Sequence, residues 1–218
     1  MGLSPDGGAK IESIDNTKEI IQGLDLSQAL KERCFYILSA MWFGMAMLVT
    51  TLHFYQVTIL TNQGITTDFA AALFTVSAIT MVLFMPVVGK LFDNIQTHYV
   101  LTIGLLINCV SLLSITFSVN EYYAFIYAVF FGINNAISMT MFGYIWPRYF
   151  GRKHLGSIQG TGQMIGVIGA SLGPLPVGLA IDFIGDPLVT IRYLALYPFV
   201  ICFLTIFFLR SPSSLTKD

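Results

Sequence analysis

The sequence predicts an all-α membrane protein with six transmembrane helices. Hydrophobic residues make up 55% of its 218 residues and charged residues only 11%, whereas an ordinary soluble domain has about 25% charged residues. The charged residues also leave long uncharged intervals, most of them longer than the roughly 20 residues that a helix needs to cross about 30 Å of hydrocarbon. A soluble helical bundle would instead carry a charged stripe along each helix at the 3.6-residue period, and none is present.

Six uncharged intervals locate the predicted spans along the chain. In order they contain 34, 21, 27, 26, 28 and 17 residues, so that the last is marginal but acceptable. The spans are predicted at about residues 36–59, 69–91, 99–118, 122–146, 156–181 and 193–209. The transmembrane domain as a whole is expected to cover residues 34–210.

Basic residues fall almost entirely in alternate gaps between these spans. One side of the membrane receives ten of the eleven Lys and Arg residues, and the other receives only Arg192. The ten are Lys10, Lys18, Lys31, Arg33, Lys90, Arg148, Arg152, Lys153, Arg210 and Lys217. Because cytoplasmic loops carry an excess of Lys and Arg, we expect a multi-pass protein of the cell (inner) membrane with both termini in the cytoplasm.

The two ends of the chain differ in composition from the spans. Residues 1–33 are polar and predict a cytoplasmic segment, without the short apolar core of a secretory signal. Within it, residues 1 to about 22 predict a solvated, disordered linker. A short surface helix is expected after it, with Asp25 or Ser27 as its N-cap. Residues 211–218 predict a cytoplasmic tail.

Composition also excludes several kinds of partner and cofactor. The basic residues lie in short loops and form no continuous face, so we expect no nucleic-acid partner. Cys34, Cys109 and Cys202 are far apart and lie in or beside apolar spans, where cysteine behaves as a small hydrophobic residue. The sequence therefore predicts no disulfide framework, no metal site and no cofactor. The expected partners are the lipid bilayer and a small solute.

The fifth predicted span has a face made of glycine. Four glycines recur in it at spacings of four, three and four, which places them on one side of a helix. They are Gly162, Gly166, Gly169 and Gly173, and Pro174 and Pro176 follow, so that a kink is expected there. One interpretation is close packing of a neighbouring helix; the other is a helix that slides or bends during a conformational cycle.

The stretch Gly169–Gly173 also fits the G-x-S-x-G pattern of serine hydrolases. That chemistry requires a histidine within hydrogen-bond reach of the serine. In intramembrane proteases of the rhomboid class the last span supplies it, but residues 193–209 contain no histidine. An intramembrane hydrolase is therefore a distant alternative, and no catalytic residue is predicted.

Several segments resemble the major facilitator superfamily of transporters. The segment Trp146–Gly160 reads WPRYFGRKHLGSIQG and is followed by Gly173-Pro174 and by Gly178–Asp182. Together they resemble the tenth to eleventh helix region of that superfamily, particularly of its monocarboxylate and oxalate/formate-like branch. The resemblance extends over about residues 25–210.

The loop after the second span resembles a further motif of the superfamily. Gly89–Asp93 is similar to the start of its cytoplasmic loop motif, G-x-x-x-D-R-x-G-R-R. The chain departs from the motif afterwards, with Asn94 at the first arginine, Gln96 at the second glycine, and Thr97 and His98 at the basic pair. The resemblance implies roles in the cytoplasmic loops and their gating for Gly89, Asp93, Arg148, Gly151 and Arg152.

The resemblance implies that the six spans correspond to helices seven to twelve of a twelve-helix fold. Such transporters bind their solute between two six-helix halves and alternate access by rocking one half against the other. The chain is therefore expected to be half a transporter. It is a fragment, the leading expectation, or it pairs with a separately encoded N-terminal half, or it forms a homodimer. The alternative function is a non-transporting scaffold or receptor derived from such a half.

Polar residues within the spans are the candidates for solute binding, because polar groups at membrane depth usually have a role. His53 and Gln56, three residues apart on the first span, are the first candidates. The others are Asn134 and Asn135 with Ser138 on the fourth span, and Asn108 with Ser111 on the third, although interhelical hydrogen bonding explains Asn108 as well.

No predicted span has a charge in its central part, and that absence bears on the solute. A carboxylate would have to be neutralised by the other half, or the solute is not an anion. His53 is the only histidine at depth. Because an imidazole titrates near neutral pH, coupling of transport to a proton through His53 is a further hypothesis.

Overall fold

The computed structural model describes residues 23–209, and in this range the chain is all-α. The helices are α1 (Leu26–Ala29), α2 (Arg33–Asn62), α3 (Thr67–Asn94), α4 (Thr97–Thr116), α5 (Glu121–Phe150), α6 (Leu155–Leu172), α7 (Pro174–Phe183), α8 (Pro187–Leu194) and α9 (Leu196–Phe208). Helices α6 and α7 together form one span, and α8 and α9 form another. The predicted class of six membrane-spanning helices is confirmed. The predicted linker (1–22) and tail (211–218) lie outside the described residues.

The spans pack mainly as two long pairs. Helix α2 lies along α6, α3 lies along α5, and α4 joins the pairs by packing against both α5 and α9. The buried side chains form two apolar clusters. One surrounds Trp146 and Phe150, and the other surrounds Tyr127 and Phe131. Helices α3 and α6 keep much of their apolar surface uncovered, so these two helices offer the largest faces for lipid or for a further membrane domain.

The fifth span is interrupted at Gly173, where α6 ends and α7 begins. Pro174 and Pro176 have no backbone N–H, so the helical hydrogen-bond ladder cannot continue through them. The Gly173 N–H bonds the Ala170 carbonyl at 3.1 Å instead. From α2, the Thr51 hydroxyl lies 2.6 Å from the Gly173 carbonyl oxygen. The expected interruption therefore lies directly against the first span.

The sixth span begins earlier than predicted. Its first part, α8, starts at Pro187, where the Asp186 carboxylate accepts a hydrogen bond of 2.8 Å from the Leu188 N–H. Arg192 consequently lies inside a helix and not in a gap between spans. Its guanidinium is exposed and sits 5.9 Å from the centre of the Phe117 ring. A long side chain near a helix end can extend its charge to the membrane surface, so an arginine does not have to end the helix.

The segment before the first span is held against the turn between α5 and α6. The Leu24 N–H donates to the Phe150 carbonyl at 2.9 Å, and Gly23 forms a β-bridge with Gly151, whose φ is +78°. Asp25 caps α1, and the hydrogen bond it accepts from the Gln28 backbone holds the pKa of its carboxyl below the ordinary value. We call residues 23–32 the strap.

Candidate functional site

A groove with a mainly apolar lining lies between α2, α5 and α6. Its volume is about 200 Å³. It is lined by Trp42, Met45, Ala46, Val49, Thr50, Ser138, Met139, Gln163, Gly166, Val167 and Ala170. Apolar side chains with a few polar groups are typical of binding sites for small molecules. We call this feature the groove.

Of these lining residues, the sequence predicted only Ser138 as a polar candidate and Gly166 as a packing residue. Trp42 is the most informative residue that it missed. An indole N–H well inside a span needs a partner, and that requirement was a usable signal. Gln163 carried the signal of a polar side chain within a predicted span and was also missed. Met139 carried none, because its place in the groove depends on how α5 turns about its axis.

His53 lies one helical turn beyond Val49 of the groove. Its Nδ1 is 2.9 Å from the Val49 carbonyl oxygen; since a carbonyl only accepts, that nitrogen carries the proton and Nε2 is free to accept. The ring rests on Phe131, with centroids 4.7 Å apart, and near Phe74 at 6.1 Å. The side chain is exposed, so this predicted residue can reach a solute.

Gln56 faces the same neighbouring helices but is completely buried. Its Nε2 donates to the Ala70 carbonyl of α3 at 3.1 Å, and its Oε1 accepts from the Tyr127 hydroxyl of α5 at 3.0 Å. Both ends of the amide are therefore engaged by protein. The geometry gives Gln56 a packing role that joins three helices, and its predicted role in solute binding stays a prediction.

The asparagines predicted as weaker candidates lie mainly between α4 and α5. Asn108 Nδ2 donates to Asn134 Oδ1 at 3.2 Å, and both side chains are fully buried. Within residues 23–209, Asn108 Oδ1, Asn134 Nδ2 and the Ser111 hydroxyl have no hydrogen-bond partner. The pair thus joins α4 to α5, as interhelical hydrogen bonding implies for Asn108. Asn135 is 5% exposed.

A second cluster lies where α3 and α5 end and α4 begins. Arg148 donates to the Thr97 hydroxyl at 3.0 Å, lies 3.8 Å from the Asp93 carboxylate and stacks 5.4 Å from the centre of the Tyr144 ring. Arg152 lines the same open cavity of about 380 Å³. The ion pair is exposed, so its contribution to stability is small, about 0–1 kcal/mol.

The other residues predicted for the cytoplasmic loops fall beside this cluster. Gly89 lies near the Tyr144 hydroxyl, which an added Cβ would approach to 3.9 Å. Gly151 is in the bridge to the strap. The structure therefore brings Asp93, Arg148 and Arg152 to one cavity and places Gly151 at the adjoining turn; their predicted gating roles stay predictions.

The glycine face of α6 is filled by other helices. A methyl group at Gly162 would overlap the Trp146 ring, and one at Gly166 would overlap the Trp42 indole. At Gly169 and Gly173 it would overlap backbone carbonyl oxygens of α2, those of Phe43 and Met47. These contacts are what the packing interpretation predicts. Sliding or bending along the same face, with Gly173 and Pro174 as the hinge, stays a prediction.

The hydrolase pattern does not form a nucleophile within the described residues. The Ser171 hydroxyl donates back to the Val167 carbonyl of its own helix at 2.9 Å. The His53 ring bonds the carbonyl of Val49. Each group therefore has a local backbone partner, and no serine–histidine pair is assembled in residues 23–209.

All formal charges of the described helices lie near helix ends. Helices α1, α4, α6 and α9 contain no Asp, Glu, Lys or Arg, and the others carry them only within the first or last five residues. Those residues are Arg33, Asp68, Lys90, Asp93, Glu121, Arg148, Asp182 and Arg192. The groove and the surroundings of His53 are thus free of formal charge when the imidazole is neutral.

Comparison with known proteins gives one family. The family model described as Major Facilitator Superfamily matches residues 35–218. The match covers all six spans of the structure. Comparison with curated proteins finds no match.

Proposed function

The chain belongs to the major facilitator superfamily, and on that premise we propose that it moves a small solute across a membrane by alternating access. Transporters of this superfamily consist of two six-helix repeats with the solute site near the bilayer midplane between them. We propose that the six spans form the C-terminal repeat of such a pair, in the monocarboxylate and oxalate/formate-like branch, and that both ends of the repeat face the cytoplasm.

The groove is the observation that carries this proposal. It lies on a face of the bundle that no other described element covers, and its rim residues Met139 and Val167 are 58% and 53% exposed. The exposed side chain of His53 lies beside the groove, one helical turn beyond Val49. A second six-helix unit placed over this face would close the groove into a cavity between two repeats. That unit is supplied by the same polypeptide, by a separate chain or by a second copy.

The proposal is tested by uptake into proteoliposomes that contain the full chain, alone and with a co-expressed N-terminal repeat of the same superfamily branch. The solutes are radiolabelled small acids and neutral compounds. Saturable uptake above protein-free liposomes is expected. Val49→Trp, which fills the groove, is expected to lower the initial rate at least tenfold.

Val200→Trp provides the matched control. It is the same substitution at a 56% exposed position of α9, which is not part of the groove, and it is expected to leave the rate unchanged. Uptake that both variants preserve would show that the solute does not pass along the groove. Absence of saturable uptake of every solute, with and without the second repeat, would contradict the transport proposal itself.

A further inference from the structure

We infer that the part of the solute that lies in the groove is uncharged and amphipathic, and that Trp42 forms the wall against which it lies. This inference rests on the proposed function, because it names the class of solute for the same groove. It places any carboxylate of the solute outside the groove, where the second six-helix unit would have to neutralise it, and it excludes an inorganic anion as the ligand of the groove.

The lining supplies apolar surface and uncharged hydrogen-bonding groups. Trp42, Met45 and Met139 provide an aromatic face and two flexible thioether side chains, which adapt to apolar ligands of different shape. Thr50 and Ser138 contribute hydroxyls, and Gln163 contributes an amide at the exposed rim. The Ser138 hydroxyl donates to the Asn134 carbonyl at 2.9 Å and so faces the groove mainly as an acceptor. These are the groups that suit amides, alcohols and similar neutral compounds.

Electrostatics oppose a charged solute at this wall. Moving a carboxylate out of water costs several kcal/mol unless a cation or several donors compensate. None of the eleven lining residues is charged, and the charges of the described helices stand at their ends. The nearest group on the described chain that can acquire a positive charge beside the groove is His53, which is flanked by Phe74 and Phe131 and by no acidic residue. A neutral solute needs no compensation.

The indole of Trp42 supplies an unused donor at the wall. The residue is only 9% exposed, and its Nε1 has no hydrogen-bond partner within residues 23–209. That nitrogen lies against Gly166, another residue of the groove lining. A buried donor without an acceptor is unfavourable. An uncharged carbonyl or hydroxyl oxygen of a solute in the groove would supply the missing acceptor.

The experiment measures equilibrium binding to the purified full chain in detergent micelles, with pairs of compounds of equal size. Benzamide is compared with benzoate, and hexanamide with hexanoate, by calorimetry at pH 7.5. The amides are expected to bind at least tenfold more tightly than the acids. Tighter binding of the acids, or no binding of either amide, would overturn the inference.

Trp42→Phe tests the assigned wall. It keeps an aromatic ring on Phe142, whose centroid lies 4.7 Å away, but removes the N–H, and it is expected to weaken amide binding about 2- to 10-fold. Trp146→Phe is the matched control, because the Nε1 of Trp146 is also buried without a partner but lies outside the groove. Equal effects of the two substitutions would show that the Trp42 N–H does not contact the bound amide.

The binding experiment separates this inference from the transport proposal. Amide binding without uptake of any solute would support the inference and contradict transport. Saturable uptake by a chain that binds the acids as tightly as the amides would support transport and contradict the inference. The comparison of amides with acids uses only the unmodified chain, so it does not depend on the folding of any variant.

Discussion

The two long helix pairs of the bundle are held together in different ways. Along α2 and α6, Gly166, Gly169 and Gly173 of one helix receive the indole and the backbone carbonyls of the other. Between α3 and α5, Gly132 is the one glycine of α5 whose added Cβ would overlap atoms of α3. The Ser77 hydroxyl of α3 also donates to the Ala128 carbonyl of α5 at 2.9 Å. The first contact relies on close approach at three glycines, with one hydrogen bond at its end, where the Thr51 hydroxyl lies 2.6 Å from the Gly173 carbonyl oxygen. The second combines close approach at a single glycine with the Ser77 hydrogen bond.

The difference is informative because membrane helices lack a hydrophobic driving force for association. Close van der Waals contact and interhelical hydrogen bonds must replace it. Van der Waals contact between two closely packed backbones is lost as soon as the backbones are forced apart. A single hydrogen bond between helices contributes only modestly to the free energy of unfolding. Substitutions in the two pairs should therefore differ in the size of their effect, with backbone overlaps at the top and single hydrogen bonds at the bottom.

The largest effect is expected from Gly169→Leu. Even a Cβ at this position overlaps the Phe43 carbonyl, and a backbone atom cannot move aside as a side chain can. We expect the free energy of unfolding in mixed detergent micelles to fall by about 3 kcal/mol or more. Gly160→Leu on the same helix is the control, because no atom lies within 4 Å of its Cβ position. Equal losses of unfolding free energy in both variants would contradict the close approach of the α2 backbone to Gly169.

Gly132→Ala tests the corresponding position between α3 and α5. Its added methyl group overlaps the Ser77 carbonyl and the Thr80 side chain. We expect a smaller loss of about 1–2 kcal/mol, since the alanine also favours the helix. Gly143→Ala on α5 meets nothing within 4 Å and should raise the unfolding free energy slightly. If Gly132→Ala were as stable as Gly143→Ala, α3 and α5 would lie farther apart than described.

Tyr127→Phe tests the buried hydrogen bonds that link α2, α3 and α5. It removes the donor to Gln56 Oε1 and leaves that oxygen buried. The expected loss is about 1 kcal/mol, read as a lower midpoint of thermal unfolding. Tyr123→Phe, at a 48% exposed ring of the same helix, should leave the midpoint unchanged. A midpoint shared by the two variants would mean that Gln56 finds another donor.

The smallest effect is expected from Ser77→Ala. It deletes a single hydrogen bond to the Ala128 carbonyl, and such bonds between membrane helices contribute about 0.6 kcal/mol on average. Ser171→Ala is the control, because the Ser171 hydroxyl bonds only its own helix. Unfolding measured in the same detergent series should rank the four test variants in the order given. A loss at Ser77 larger than at Gly132 would mean that the hydrogen bond contributes more than the close approach at Gly132 to the contact between α3 and α5.

Much of the fold could be predicted because charge and glycine have direct physical meaning in a membrane. Uncharged intervals locate spans, and the spacing of Gly162 to Gly173 identifies a close contact before its partner is known. The start of the last span could not be predicted in this way, because Arg192 lies inside α8 and does not end the helix. Nor could the partner of Gln56, because its contact with Tyr127 joins residues 71 positions apart and depends on the rotation of both helices.

The candidate site was less predictable than the fold. His53 could be chosen from the sequence because an imidazole within a span is rare. The groove beside it could not, since its walls come from three helices and most of them are ordinary apolar residues. The asparagines stood out for their polarity, but the hydrogen bond between Asn108 and Asn134 uses that polarity for packing. Polarity at depth therefore marks a residue with a partner, and only the structure distinguishes a protein partner from a solute.

The strap has a mechanical consequence. Leu24 is anchored by its N–H on Phe150, and a side chain at Gly23 would collide with the Lys153 backbone. A force applied to the chain ahead of Gly23 is therefore delivered to the turn between α5 and α6 before it reaches α2. Those two helices carry two walls of the groove. A displacement of the strap thus acts on the groove through the contacts of Gly23 and Leu24 with the turn between α5 and α6.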